Sequence, residues 1–499
     1  MMPTIAFLDA FQGLSTEALV LLGVTLAFGF YMAWNIGAND VANAMGTSVG
    51  SGALTLKWAI ILAAVFEFAG AFLVGSQVSD TIRKGIFDPE MVESAHVLAL
   101  GMIAALLAAG VWLQSASYFG WPVSTTHSIV GAVVGFGCVQ VGVTNVDWGV
   151  VGSIAASWVV SPLLAATISY LLFKLLLRLV FYKPDPVEAA KQVTPYLVFV
   201  VVTVLAGVTG VKGLKAFWKT VEFQDEMLAW NHPVALTITA VAAVVVGLIG
   251  ALIGWRLVRR VQPPDGDAAH RFENVYVNRS LDKATKHLQR VVANAAPEVA
   301  AEAQGVLTRV HHLTEVAERK TDPEATRSVY DKVERIFIVL QVLSACFVAF
   351  AHGANDVANA IGPMSAAVQA ITSGMVAAKA AVPYWALLLG GAGIVLGLAM
   401  WGWRVMETIG RRITELTPSR GFTAEFGAAM TVLVASLMKL PISTTHTLVG
   451  AVLGVGAARG IGALNMRTVR DIVASWVITI PIGAGLSILF FYMLLAIFG

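Results

Sequence analysis

Gly37-Ala38-Asn39-Asp40-Val41-Ala42-Asn43-Ala44 lies at the end of a long apolar run, and the same eight letters recur at Gly353-Ala354-Asn355-Asp356-Val357-Ala358-Asn359-Ala360. A carboxylate between carboxamides is costly in hydrocarbon unless it faces protein, water or a bound ion. Each copy therefore reads as half of an ion site. A second repeated pair lies downstream of each copy. Trp121-Pro122-Val123-Ser124-Thr125-Thr126-His127 is answered by Leu440-Pro441-Ile442-Ser443-Thr444-Thr445-His446, and Ala156-Ser157-Trp158 by Ala474-Ser475-Trp476.

The surroundings of these motifs are apolar. Of 499 residues 57% are hydrophobic and 13% charged, against roughly 25% charged in soluble domains. The expected fold is an all-α polytopic membrane protein in contact with the lipid bilayer. A net charge of +2 without a basic stripe excludes nucleic acid as partner. Cys138 and Cys346 fall in apolar segments, which argues against a disulfide framework or metal cluster.

Runs of about 17 to 25 apolar residues are helix candidates. They occur near 18–36, 58–76, 95–113, 127–143, 148–180, 195–211 and 232–257, then near 336–352, 383–403, 421–438, 446–458 and 470–498. About 12 transmembrane helices are expected. The first run has no basic region before it and is expected to remain uncleaved. The division is a first membrane half over 1–257, a polar loop over 258–335 and a second membrane half over 336–499. Arg256, Arg259 and Arg260 on one side of that loop, with Lys332 and Arg335 on the other, put it in the cytoplasm. Lys174, Arg178, Lys183, Arg411 and Arg412 agree, whereas Arg83, Lys84, Lys212, Lys215 and Lys219 do not. Seven crossings before the loop and five after it place both termini outside. The two motif copies then follow helices entering from opposite sides, so the halves form two inverted repeats, with broken or re-entrant helices, as in many secondary transporters.

Each Pro-hydrophobic-Ser-Thr-Thr-His segment reads as a helix start, where proline fixes the turn and a hydroxyl caps free amides. Free amides, the positive dipole end and hydroxyl donors together make an anion site without Lys or Arg. Two of them related by an inverted repeat point at one tetrahedral oxyanion. Asn39, Asp40 and Asn43, with Asn355, Asp356 and Asn359, offer oxygens that suit a hard cation such as Na⁺. Gly37 and Gly353 are expected to let the helix unwind there and release carbonyls. Two carboxylates and an oxyanion share a dry pocket only if cations enter with them. A phosphate that keeps a proton can donate it to Asp, which sulfate cannot. A membrane hydrolase using Ser124 and His127, or Ser443 and His446, lacks a nucleophile elbow and an orienting third residue. An enzyme is not expected.

These residues resemble the PiT-type inorganic phosphate transporters, and specifically their sodium-dependent members. The resemblance is carried by the paired Gly-Ala-Asn-Asp motifs, by Leu340 to Phe347 leading into Phe350-Ala351-His352-Gly353, and by Val78-Ser79-Asp80-Thr81-Ile82-Arg83-Lys84-Gly85. The proton-coupled, metal-phosphate branch departs from Gly-Ala-Asn-Asp in its first copy, and this chain keeps it in both. The resemblance implies symport of phosphate with Na⁺, by elevator-like or rocking motion, in a homodimer of the cell (plasma or inner) membrane, with no cofactor beyond the co-transported Na⁺. It assigns phosphate to Ser124, Thr125, Thr126, Ser443, Thr444 and Thr445. It assigns Na⁺ to Asn39, Asp40, Asn43, Asn355, Asp356 and Asn359, with Asp40 and Asp356 also touching phosphate. Glu67 and Glu425 match acidic positions that matter to transport in the family; read from the residues, each is functional, salt-bridged or near an interface. Proton-coupled uptake of metal-phosphate, or of sulfate, is the alternative on the same fold. Lys439 either adds positive charge near the anion or snorkels to the surface. His127 and His446 are expected to hold their helices by local hydrogen bonds, and Trp121, Trp158, Trp385 and Trp476 to serve as packing or interface anchors.

Overall fold

The computed structural model describes residues 14–75, 86–220, 233–262, 275–320, 323–376, 382–406, 416–438, 440, 442–460 and 466–499. Val78 to Gly85, Arg411, Arg412, Lys439 and Pro441 lie outside them. Among the described residues the fold is helical, with one isolated bridge between Phe87 and Val146.

Fourteen helices follow in order among these residues. The first seven are α1 (Thr16–Gly50), α2 (Leu56–Val74), α3 (Ala95–Tyr118), α4 (Thr125–Gln140), α5 (Trp148–Leu176, with a π turn to Phe181), α6 (Pro186–Thr220) and α7 (Pro233–Val258). Then come α8 (Val275–Asn294), α9 (Pro297–Lys320), α10 (Pro323–Ser373), α11 (Tyr384–Trp401), α12 (Pro418–Leu437), α13 (Thr444–Arg459) and α14 (Met466–Phe498). Side-chain caps set several starts: Ser15, Ser94 and Asp147 accept the amides of Ala18, Val97 and Val150.

A helix falls at each of the twelve apolar runs, but among the described residues nine are long and apolar enough to cross a bilayer. α4 and α13 have 16 residues each, about 24 Å, short of a hydrocarbon core of roughly 30 Å. The third exception, α12, carries Arg420 and Glu425 in its 20 residues. Within the polar segment, α8 and α9 form a helical hairpin. α10 begins in that segment and runs 51 residues through the second motif.

One expectation is overturned. Neither Gly37 nor Gly353 unwinds its helix; α1 and α10 run unbroken through both motifs. The glycines serve close approach instead. A Cβ on Gly37 would stand 1.9 Å from the carbonyl oxygen of Ile394 on α11, and one on Gly353 2.1 Å from that of Glu67 on α2. Small residues let membrane helices meet backbone to backbone. Carbonyl release has another source, because Pro363 has no amide to give the carbonyl of Asn359 four residues earlier.

Packing in the membrane part follows an exchange rule. α1 packs on α11 and α3; α10 packs on α2 and α12. α4 packs on α14, and α13 on α5; α3 packs on α14, and α12 on α5. Swapping α1–α5 for α10–α14 maps these contacts onto one another. α6 and α7 stand outside the exchange and pack mainly on each other.

Candidate functional site

The two motifs meet at the centre of the fold. α1 and α10 cross there, bringing Asn39, Asp40 and Asn43 together with Asn355, Asp356 and Asn359, all buried. The starts of α4 and α13 arrive at the same point. Ser124 accepts the amide of His127 at 3.2 Å, and Ser443 that of His446 at 3.2 Å. Both serines are therefore true N-caps, leaving Thr125, Thr126, Thr444 and Thr445 on the first turns.

The threonines tie the halves together. Thr126 Oγ1 donates to the carbonyl of Ile442 at 3.0 Å, and Thr445 Oγ1 to that of Val123 at 3.2 Å. Thr444 Oγ1 donates to Asp356 Oδ2 at 2.7 Å, and Thr445 Oγ1 lies 3.3 Å from Asp40 Oδ1. Asn43 Nδ2 donates to Asp40 Oδ1 and Thr445 Oγ1; Asn359 Nδ2 donates to Thr125 Oγ1 and Thr126 Oγ1. Asn39 and Asn355 turn their amide nitrogens to matching partners, Ser117 on α3 and Ser436 on α12. With the nitrogens spent, oxygens remain: Asn39 Oδ1, Asn43 Oδ1, Asp40 Oδ2 and Asp356 Oδ1 are buried without a hydrogen-bond partner. Such a set suits a hard cation.

One residue escaped the sequence reading as a site element. His352, singled out only within a longer run, lies at the heart of the cluster. Its Nε2 is 2.9 Å from Asp356 Oδ2 and 3.7 Å from Asp40 Oδ2, and its Nδ1 is 3.3 Å from Glu67 Oε1. Three carboxylates thus surround one imidazole in a volume closed to water. The first half carries Ile36 where the second carries His352, so the repeat gives no signal for it.

Glu425 lies apart, in a cage of neutral donors. Thr47, Ser48 and Ser344 hydroxyls donate to its oxygens at 2.5 to 2.6 Å, and Gln341 Nε2 at 3.4 Å. No basic residue touches it among the described hydrogen bonds and ion pairs, which leaves the salt-bridge reading of Glu425 without a partner. Glu67 has His352 beside it.

His127 and His446 do hold the half-helices, though by bonds across the halves. Their Nδ1 atoms lie 3.3 Å from the carbonyls of Trp476 and Trp158. Pro162 explains why the second carbonyl is free, having no amide to give it. Each imidazole also lies against an indole of its own half, Trp158 at 3.7 Å and Trp476 at 3.5 Å between centroids, and the two imidazoles are 4.3 Å apart. Trp158 and Trp476 are thus packing residues, whereas Trp121 is exposed and lends its carbonyl to Asn39.

One substitution separates a ligand-holding half-helix from a structural one. Thr444→Val keeps the shape of the side chain but removes the hydroxyl at the start of α13. Loss of one hydrogen bond, about 1 kcal/mol, predicts a roughly fivefold rise in the concentration of anion that half-saturates the protein. An unchanged value in a titration would make the half-helix a structural element only.

The profile of the phosphate transporter family matches residues 36–487. The chain is 45% identical to an inorganic phosphate transporter 2-1, chloroplastic, of Arabidopsis thaliana, over 96% of this chain and 73% of that one. It is 41% identical to a putative phosphate permease of Haemophilus influenzae, over 96% and 97%. Among solved structures, one described as the sodium-dependent phosphate transporter superposes with a TM-score of 0.74 at 36% identity, covering 96% of this chain and all of that one.

Proposed function

This chain belongs to the phosphate transporter family, and from that premise we propose that it imports inorganic phosphate together with Na⁺. The observation that carries the proposal is the convergence of two helix N-termini and two carboxylates on one buried point. Amides and hydroxyls of α4 and α13 offer donors for phosphate oxygens. Asp40 and Asp356, already bonded to Thr445 and Thr444, lie within reach of the same anion. Negative charge on all three requires companions, and the free oxygens of Asn39, Asn43, Asp40 and Asp356 are the places for Na⁺. Each ion lowers the cost of the other, which is the physical content of coupling.

The exchange of contacts between α1–α5 and α10–α14 supports inverted repeats, the arrangement in which one central site is exposed to either side in turn. We place the α8–α9 hairpin in the cytoplasm, on the flanking arginines 256, 259 and 260; with α3–α4 and α12–α13 each entering and leaving on one side, α1, α2, α5, α6 and α7 cross before it and α10, α11 and α14 after it, so both termini lie outside. The protein is a multi-pass membrane protein; we assign it to the cell membrane, as a homodimer with no resident cofactor.

His352 supports a second reading, since an imidazole between Asp40 and Asp356 is built to carry a proton. The two readings part in one experiment. Purified protein in liposomes takes up labelled phosphate under an inward Na⁺ gradient, at a membrane potential matched to that of a proton-gradient control. Uptake with protons alone, or only with a divalent metal present, overturns Na⁺ coupling and makes Asp40 and Asp356 proton acceptors.

A further inference from the structure

The α8–α9 hairpin carries an apolar face that the described residues leave uncovered. α8 and α9 pack on each other across a two-residue link and make no substantial contact with any other described helix. Leu288 and Val292 of α8, with Ala303 and Leu307 of α9, turn inward. Outside this small core lie Val277 and Val291 on α8 and Val299, Val306 and Leu313 on α9, each between 40% and 55% exposed, with Ala284 half-buried between the two valines.

Their spacing is regular. The α8 residues fall seven apart, as do those of α9, the period at which one helix keeps facing another. Ala284 and Val291 immediately precede inward-turned residues, and so do Val299, Val306 and Leu313. One residue back along a helix is a turn of about 100°. In antiparallel helices those turns are opposite when seen from one end, so both stripes come to the same face of the hairpin. Counted from the link, the residues also pair in height: Val291 with Val299, Ala284 with Val306, Val277 with Leu313. The result is three apolar layers on one face.

We propose that this face docks a second copy of the same hairpin, forming a four-helix bundle between two chains. A helical partner is favoured over a lipid surface because the stripe is one residue wide on each helix and has no aromatic residue, whereas interfacial helices bury a broad apolar side. A second copy is favoured by charge. Lys283 and Arg290 flank the α8 stripe, and Glu298 and Glu302 flank the N-terminal part of the α9 stripe; all four are exposed. Across a two-fold axis parallel to the helices, α8 of one copy lies antiparallel on α9 of the other. Arg290 then stands level with Glu298 and Glu302 near the link, and Lys283, farther from it, level with Arg309. Pairing α8 with α8 about a perpendicular axis would instead bring Lys283 beside its own copy and leave Arg290 without either glutamate.

The test uses the full chain in liposomes, with Cys138 and Cys346 replaced by Ser. Val291→Cys and Val299→Cys variants carry different tags and are oxidised separately and mixed before reconstitution. A disulfide-linked species bearing both tags, formed in the mixture and lost from either variant alone, is the expected result. Arg290→Glu removes the link, and adding Glu298→Lys with Glu302→Lys on the other copy restores it. Equal linking in single-variant samples overturns the pairing. Absence of linking, with Val299→Cys becoming inaccessible to a water-soluble maleimide upon reconstitution, overturns it in favour of the membrane surface.

Discussion

Asp356→Asn is expected to abolish Na⁺-driven phosphate uptake while leaving the protein folded in the membrane. The substitution preserves shape, and its carbonyl can still accept from Thr444, so the local geometry at the start of α13 survives. What is lost is one negative charge facing a cation. At about 4 Å and an effective dielectric near 20, that attraction is about 4 kcal/mol, roughly a thousandfold in affinity. Asp40→Asn removes the matching charge on α1 and carries the same expectation. Uptake by proteoliposomes, normalised to protein recovered by size exclusion, measures both. Full Na⁺-driven uptake in both variants would sink the ion-site assignment.

Gly353→Leu is expected to destroy the fold itself. A Cβ at this position stands 2.1 Å from a backbone oxygen of α2, and a backbone atom has no rotamer by which to step aside. Overpacking costs about 1–3 kcal/mol, occasionally more, even where side chains can adjust. Here α2 and α10 must separate, which also pulls Glu67 from His352. Gly23→Leu is the control, since nothing lies within 4 Å of a Cβ there. Loss of the monodisperse peak for Gly353→Leu, and its survival for Gly23→Leu, is the expected pair of results. Had the glycine served flexibility, the leucine variant would fold and lose only turnover.

Much of this architecture is written in periodic and repeated features. Twelve helices fall where apolar runs predict them, because a bilayer leaves the backbone little choice. Ser124 and Ser443 cap the helices that their Pro-x-Ser-Thr-Thr-His segments announce. The misreadings have a common physical origin. Gly37 and Gly353 look alike whether they permit unwinding or contact, and only the position of Ile394 and Glu67 decides. His352 lies against Asp40, Glu67 and Asp356; Asp356 is one helical turn away, but Asp40 and Glu67 come from α1 and α2, remote in sequence. The cage of Glu425 is assembled from α1, α10 and α12, so no local pattern reveals it. Duplication exposed what the halves share and concealed what only one of them has.

The bonding of each imidazole to the opposite half sets a problem of synthesis. When α4 and α5 enter the membrane, the helices that will cover them do not yet exist; α13 and α14 follow about 300 residues later. At roughly 5–20 residues per second, the interval is about 15–60 s. Throughout it, the free amides at the start of α4 and the ring of His127 must be sheltered by water or by the insertion machinery. The nascent chain is therefore most exposed to degradation until the ribosome has passed Phe498, and α14 is the element that ends its immaturity.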